Sequence, residues 1–258
     1  MNQEYEKIIK NIGISLSALG EKMVHIAEEY SRYFEENVVP ALRSLYEDIP
    51  NLSAEEKEEL NKFAENLLNN GWCMSLFLPI VVYKEDLSTL EKADAYVLKY
   101  CTNENIEKIY DTLLENDIDE EKVSNIKTCI NNKAYMACSA LLISMIEHCV
   151  VCDCKITDNA LLKEKAIEKL KNVYNEVSSN KISIYLYLHN YSLYLSIKEV
   201  FKDIKNLAIV DDSKFVVPSR HCLLHGYSKR KYTKKDCLFL LLLLYGFVKQ
   251  KQILIDRM

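Results

Sequence analysis

The sequence predicts an all-α fold built of many helices. Only five glycines and four prolines occur among 258 residues, whereas the two together make up about 12% of an average soluble chain. Because turn-forming residues are scarce, long helices with short connections are expected. Apolar residues also recur at three- and four-residue spacing, which is typical of helices with one buried face. With 49% hydrophobic residues, the chain can form a sizeable core.

The first half of the chain predicts four helices. They are expected over residues 15–38, 53–70, 88–100 and 103–114. The first carries an apolar stripe and ends before Pro40, which cannot continue a helix. The second and third open on capping boxes, formed by Ser53 with Glu56 and by Ser88 with Glu91. These caps predict where the helices begin.

Residues 71–83, GWCMSLFLPIVVY, separate the second helix from the third. This apolar segment is compatible with a buried strand or with an extended connection. It contains the single tryptophan, Trp72. We interpret Trp72 as an anchor of the core and not as a platform for a ligand.

A boundary between two helical domains is predicted near residue 117. The acidic run DIDEE, residues 117–121, suits the positive end of a new helix. We therefore expect domains over residues 1–117 and 118–258. The second domain is predicted to contain a helix that follows the acidic run and ends near residue 131. Further helices are expected over residues 133–151 and 159–177 and in the apolar run 237–248.

Residues 182–201 fit two patterns. Ile182, Ile184, Leu186 and Leu188 alternate as in a strand, but the helical surroundings and the lack of a turn dipeptide favour a helix. The run also contains tyrosines that could stack on nucleic-acid bases, although packing against neighbouring helices is the favoured interpretation. These tyrosines are Tyr185, Tyr187, Tyr191 and Tyr194.

Composition restricts the partners and the location. A net charge of −5 argues against general nucleic-acid binding, so such a contact needs a local basic patch. One such patch follows Tyr227, with Lys229, Arg230, Lys231, Lys234 and Lys235. The N-terminus has no signal peptide pattern, and the apolar run 237–248 is shorter than the roughly 20 residues of a membrane span. We expect a cytoplasmic protein with reduced cysteines and no membrane contact.

The segment VPSRHCLLHGYSKRKYTKK, residues 217–235, is the strongest candidate for a site. Pro218 suits the first turn of a short helical piece and Gly226 suits its end. Thr233 with Asp236 caps the apolar helix that follows. Polar side chains thus stand beside a rigid element, as in a functional site. A purely structural interpretation is also open: Arg220 and His225 would form ordinary caps or salt bridges, and the lysines would be a solvated face.

A metal site is a second interpretation of this segment. His221 and His225 are four residues apart, so on a helix both could reach one ion. A zinc site needs a third ligand, which the segment lacks. A separate cluster of potential ligands lacks the paired spacing of a zinc ribbon; it consists of His148, Cys149, Cys152 and Cys154. We expect no metal and no other cofactor.

RNA cleavage is the third interpretation. A ribonuclease that works without metal needs a base for the ribose 2′-hydroxyl and a cation for the charge on the phosphorane. Histidine suits the first task, because it titrates near neutral pH. Arginine suits the second, because it is always charged and can bind phosphate with two donors. Neighbouring lysines would hold the RNA backbone without reading its sequence.

The residues Arg220-His-Cys-Leu-Leu-His225 resemble the signature of the HEPN superfamily, the helical ribonuclease and toxin domains of defence systems and toxin–antitoxin pairs. The extended signature adds a tyrosine two residues after the histidine, which Tyr227 matches. An apolar helix with an acid, Glu147, precedes the motif, and a leucine-rich helix follows it. The resemblance covers roughly residues 119–258. No motif is identified in the N-terminal half.

The resemblance implies a metal-independent endoribonuclease of a phage-defence or toxin–antitoxin system. His225 would act as base or acid at the 2′-hydroxyl, Arg220 would stabilise the phosphate, and His221 would orient the substrate. Products would carry a 2′,3′-cyclic phosphate and a 5′-hydroxyl. Glu147 is expected to pair with a cation, with Arg220 as the first choice, or to lie at a solvated helix end.

The resemblance also implies partners. HEPN domains generally pair so that two motifs face each other, which predicts a homodimer that binds RNA. In some HEPN toxins a nucleotidyltransferase antitoxin modifies the tyrosine that Tyr227 matches. Many HEPN domains lack activity, so the alternative is an inactive module that binds RNA or a protein partner. A purely structural helical dimer is a third alternative.

Overall fold

The computed structural model of the chain describes residues 53–75, 77–78, 85–154, 184–202, 204 and 209–255. Within these ranges the structure is helical and contains no strand, which confirms the all-α prediction. The helices are α1 (Ala54–Asn69), α2 (Leu90–Tyr100), α3 (Asn103–Glu115), α4 (Glu120–Asn131), α5 (Tyr135–Cys154), α6 (Ile184–Val200), α7 (Arg220–Leu224) and α8 (Lys234–Ile255). The helices predicted over 15–38 and 159–177 lie outside the described residues.

The helix starts follow the caps with one correction. The predicted box at Ser53 is present, since Ser53 N–H donates to Glu56 at 2.8 Å and Glu56 N–H donates to the Ser53 hydroxyl at 3.1 Å. The predicted box at Ser88 is wrong. Thr89 is the N-cap of α2 and its hydroxyl accepts from Lys92 N–H, while Ser88 N–H donates to Asp86. The helix therefore begins one residue later.

The two ambiguous segments are now assigned. The helix predicted within residues 182–201 is present over Ile184–Val200. Within 71–83, the described residues 71–75 and 77–78 belong to neither a helix nor a strand, so they form a connection. The connection is buried, and Met74 N–H donates to the hydroxyl of Ser192 on α6 at 2.7 Å. The Ser192 hydroxyl thus accepts from the Met74 backbone N–H, which in a strand would donate to a neighbouring strand.

Trp72 is fully buried, as the core-anchor prediction expects. Its indole N–H donates to Asp94 on α2 at 2.7 Å. Lys235 of α8 forms an ion pair with the same carboxylate at 2.6 Å and lies 5.0 Å from the Trp72 ring centroid. Asp94 therefore joins the connection, α2 and the start of α8.

One hydrophobic core runs through the described part of the chain. It includes Leu67 of α1 and Leu113 of α3 as well as Ile146 of α5 and Leu241 of α8. Helix α6 packs against α1, and α8 packs against α5, α6 and α3. These described residues belong to one compact unit. Helices on the two sides of the predicted boundary near residue 117 therefore share a core.

Helix α8 is the central element of this core. Each residue from Cys237 to Leu244 is buried, as expected for a helix that is apolar on every side. Gly246 permits a close approach to α6, because a Cβ atom there would stand 2.9 Å from His189 Cε1 and from Leu193 Cδ2. No helix among the described residues is long and apolar enough to cross a membrane.

Lowering the pH is expected to destabilise this packing through His189 of α6. Its ring is buried and its Nε2 lies 3.3 Å from the Gly246 carbonyl. Burial lowers the pKa of His189 from 6.5 to about 4, although the Gly246 carbonyl opposes the shift. Because the folded pKa lies below the unfolded one, the stabilisation is complete above pH 6.5 and is lost as the pH falls towards 4. The loss is on the order of 3 kcal/mol.

Urea titrations near neutral pH and in mild acid measure this effect as a change in the free energy of unfolding. The matched variant is His189→Gln, whose side-chain amide supplies an N–H donor but cannot take up the proton. Carboxylates titrate equally in both proteins, so the wild type should lose more stability than the variant. Identical pH profiles would contradict the assignment to His189.

Candidate active site

The motif from Arg220 to His225 forms α7, a five-residue helix, and its C-cap. Ser219 is its N-cap, and its hydroxyl accepts from Cys222 N–H at 3.4 Å. At the other end, Gly226 N–H donates to the Leu223 carbonyl at 3.2 Å and Tyr227 N–H donates to the Cys222 carbonyl at 2.9 Å. These two bonds form a Schellman motif, which ends the helix at Leu224 with His225 as the C-cap. Pro218 lies just before the N-cap, whereas the sequence placed it in the first turn.

The Schellman motif requires the left-handed backbone of Gly226, whose φ is +74°. Gly226→Ala is expected to cost about 1 kcal/mol, the penalty for a Cβ in this conformation. No atom lies within 4 Å of that Cβ, so the destabilisation comes from the backbone alone. Gly226→Asn should cost less, because asparagine tolerates this region. Urea unfolding of both variants checks the ranking, and an alanine variant as stable as the wild type would contradict it.

Arg220 is anchored to α5 by an ion pair. Its Nη2 donates to Glu147 Oε1 at 2.5 Å, and the two side chains are 31% and 23% exposed. The predicted pairing of Glu147 with Arg220 is therefore present. Arg220 Nε is buried and has no hydrogen-bond partner among the described residues. Since a guanidinium has five N–H donors, the pair leaves part of its capacity for another acceptor.

The two histidines of the motif lie side by side. The ring centroids of His221 and His225 are 4.9 Å apart, with planes inclined at 50°. His225 is exposed and His221 is half-buried. Tyr227 follows with 50% of its surface exposed. The motif thus presents an imidazole pair and a phenol to solvent.

Arg220 and His225 do not share a face of α7. Since an α-helix turns about 100° per residue, positions five apart differ by about 140° around its axis. Arg220 is directed to α5 by Glu147, whereas His225 lies at the exposed end of the helix. His221 lies between them in angle. The helix alone therefore brings together the two histidines but not the arginine and His225.

The basic segment after the motif divides into two groups. Lys229, Lys231 and Lys234 are exposed. The structure places Arg230 and Lys235, the other two predicted RNA-backbone ligands, within the protein. Lys235 pairs with Asp94, as described above.

Arg230 is the more deeply held of these two. Its Nη2 donates to Asp236 Oδ1 at 2.6 Å, and the two side chains are only 14% and 5% exposed. The same guanidinium donates to the backbone carbonyls of Phe215 and Val216. Arg230 therefore ties the segment before the motif to the start of α8 and leaves the exposed lysines as the candidates for phosphate binding.

Asp212 is an organising residue that the sequence did not single out. It lies in a turn of 3₁₀ helix, Asp212–Lys214, and is fully buried. Its carboxylate accepts from the Ser228 hydroxyl at 2.5 Å and from the backbone N–H of Lys229 at 2.6 Å and Arg230 at 3.1 Å. It thereby shapes the basic loop from within. The signal in the sequence was an acidic turn, DDS, which is also common in exposed loops.

Two further sets of candidates are the possible metal ligands and the tyrosines of α6. No group of three or more histidine, cysteine, aspartate or glutamate side chains in the described ranges is arranged to hold a metal ion. Tyr187 is buried and its hydroxyl donates to Asn61 at 3.0 Å. The Tyr191 hydroxyl donates to Glu65 at 2.7 Å. These contacts join α6 to α1, as the packing interpretation of the tyrosines predicts; the side chain of Tyr185 lies outside the described residues.

Comparison with protein-family models, curated proteins and solved structures identifies no match for this chain.

Proposed function

We propose that the chain is a metal-independent endoribonuclease of a phage-defence or toxin–antitoxin system. The observation that carries the proposal is the exposed imidazole of His225, 4.9 Å from His221 on the same short helix as Arg220. Imidazole is the side chain best suited to move a proton near neutral pH. Exposed lysines, Lys229, Lys231 and Lys234, follow within ten residues of His225.

In the proposed reaction, His225 removes the proton from a ribose 2′-hydroxyl. The 2′-oxygen then attacks the adjacent phosphorus, the bond from phosphorus to the 5′-oxygen breaks, and the 5′-oxygen takes up a proton from water. The products are a 2′,3′-cyclic phosphate and a 5′-hydroxyl. Arg220 stabilises the negative charge on the phosphorane, and His221 hydrogen-bonds the substrate. No metal ion takes part.

A homodimer belongs to this proposal. Arg220 and His225 lie about 140° apart around α7. In a dimer with the two motifs facing each other, the Arg220 of each copy would lie near the His225 of the other copy. Each active site would then combine residues of two chains. Tyr227, half-exposed beside the motif, is the position at which a nucleotidyltransferase antitoxin would act.

The second candidate function is an inactive HEPN-like module that binds RNA or a protein partner. The ion pair between Arg220 and Glu147 favours this alternative, because a purely structural arginine would make the same contact. In that case the pair anchors α7 to α5, and the exposed lysines alone bind the RNA.

Incubation of the purified protein with single-stranded RNA in EDTA tests the proposal. We expect cleavage products that end in a 2′,3′-cyclic phosphate and begin with a 5′-hydroxyl. Both ends are identified by phosphatase and kinase treatment of the fragments. Binding of intact RNA without cleavage would instead support the inactive module.

A further inference from the structure

A cavity of about 460 Å³ is lined in part by residues that precede the motif in the sequence. Three elements form its walls: α1, the end of α6, and residues 214–217. We call it the α1–α6 cavity. Its volume lies within the range of roughly 300–1,000 Å³ that is usual for small-molecule sites.

The walls of this cavity are held in place by hydrogen bonds. Tyr191 of α6 donates to Glu65 of α1 at 2.7 Å, which ties the first two walls together. The third wall is fixed by Arg230, whose guanidinium donates to the carbonyls of Phe215 and Val216. A site built on such fixed elements is pre-organised for a ligand.

The cavity is lined by polar and apolar side chains in similar measure. The apolar part comes from α1, α6 and the third wall, and Phe215 is half-buried. The apolar residues are Leu68, Leu195, Phe215, Val216 and Val217. Phe215 is the aromatic residue of this lining.

The rim of the cavity carries charges of both signs, with one more lysine than glutamate. Lys198, Lys202 and Lys214 line it together with Glu65 and Glu199. Glu199 pairs with Lys202 at 3.4 Å, whereas Glu65 accepts the Tyr191 hydroxyl and keeps its charge. Lys214 is 80% exposed and its ion pair with Asp211 is long, at 4.0 Å. Lys198 and Lys214 are thus the cations best placed to attract an anion in a chain with a net charge of −5.

We infer that the α1–α6 cavity binds one nucleotide of a single-stranded RNA, next to the nucleotide that is cleaved. A base can stack on Phe215 in this cavity, since stacking on aromatic side chains is the usual way in which single-stranded RNA is held. Lys198 and Lys214 then neutralise the flanking phosphates. The inference rests on the proposed function for its substrate class.

The position of the cavity along the chain supports this occupant. Val217 of the wall precedes Arg220 by three residues, so their Cα atoms are at most about 11 Å apart. An RNA strand that places its scissile phosphate at α7 therefore has a neighbouring nucleotide within reach of the cavity. A second contact of this kind would position the strand and lower KM without taking part in the chemistry.

Fluorescence anisotropy with labelled oligouridine in EDTA tests the inference, with each protein compared in a His225→Ala background so that the RNA stays intact. The variants are Phe215→Ala and the double charge reversal Lys198→Glu/Lys214→Glu. Removal of the stacking ring should weaken binding roughly five- to a hundredfold. The double reversal should weaken it at least tenfold. It should also reduce the slope of log affinity against log salt by about 0.7 for each phosphate that the protein no longer neutralises.

Two control variants separate the cavity from general effects. Phe215→Leu keeps the apolar wall but removes the stacking face, so it should resemble Phe215→Ala in RNA binding. Lys99→Glu/Lys122→Glu makes the same charge change on α2 and α4, at exposed lysines outside the cavity. It should leave the affinity nearly unchanged. Circular dichroism and thermal unfolding confirm that each variant is folded.

The measurement distinguishes this inference from the proposed function. If the wild type binds oligouridine without cleaving it and the cavity variants lose affinity, the binding site stands and the endoribonuclease fails. If the cavity variants bind like the control pair, the binding site is overturned, whatever the result for cleavage. Binding of uridine monophosphate without binding of oligouridine would also overturn it, because the occupant would be a free nucleotide.

Discussion

His225→Ala is expected to slow RNA cleavage by a factor of about 10²–10⁴, the usual contribution of one general acid–base group. His225 is exposed at the end of α7, so the substitution removes the imidazole without opening the core. The measurement is the rate of oligoribonucleotide cleavage in EDTA under single-turnover conditions. RNA affinity should change far less than the rate, because the exposed lysines remain.

The matched control for this variant is Leu224→Ala. Leu224 is the neighbouring residue on α7 and is also exposed, so its truncation perturbs the helix end without removing an imidazole. It should retain most of the cleavage activity. If His225→Ala and the wild type cleave at the same rate, His225 does not perform the proposed proton transfer.

Asp236→Ala is expected to lower the free energy of unfolding by about 3–5 kcal/mol. The substitution leaves the guanidinium of Arg230 without its carboxylate in a site where it is only 14% exposed, and an unpaired charge in such a site is strongly destabilising. It also removes the acceptor of the Thr233 backbone N–H at 2.8 Å, which caps α8. Urea unfolding at neutral pH measures the change.

Asp86→Ala is the matched control for Asp236→Ala. Asp86 also pairs with a cation, Lys92, but both side chains are more than half exposed, and exposed pairs contribute little to stability.

The double variant Arg230→Ala/Asp236→Ala tests whether the ion pair couples the two residues. Its loss of unfolding free energy should be smaller than the sum of the losses in the two single variants, since each removes the same ion pair. Full additivity would show that the pair is not coupled.

Local sequence patterns predicted the helices well where one signal dominated. At Ser53, Glu56 completes the capping box and no neighbouring residue offers a competing cap, and the helix begins there. The apolar run 237–248 has no polar face, which predicts a buried helix, and that helix is present. At Ser88 the pattern was ambiguous, because Thr89 is an equally good cap. Asp86 decided between them by accepting the Ser88 N–H, a contact that a three-residue pattern does not contain.

The residues around the candidate site show why tertiary contacts escape such patterns. Five clustered basic residues predicted one basic surface, but Arg230 and Lys235 form ion pairs with carboxylates of the protein. The partner of Lys235 is Asp94, 141 residues earlier, so no local window could identify it. Glu147 was predicted as the partner of Arg220 because an acid in an apolar helix needs a cation. The argument does not depend on distance along the chain, and the pair joins residues 73 positions apart.

The most direct test of the proposed ribonuclease is cleavage of an RNA in which the nucleotide before the cleavage site carries a 2′-deoxyribose. His225 has no 2′-hydroxyl to deprotonate in this substrate, and the 2′-oxygen that would attack the phosphorus is missing. In EDTA, we expect the wild type to cut the all-ribose strand at that position and to leave the 2′-deoxy strand intact there. Equal cleavage of both strands at that position would contradict the account, because the reaction would not proceed through the 2′-hydroxyl.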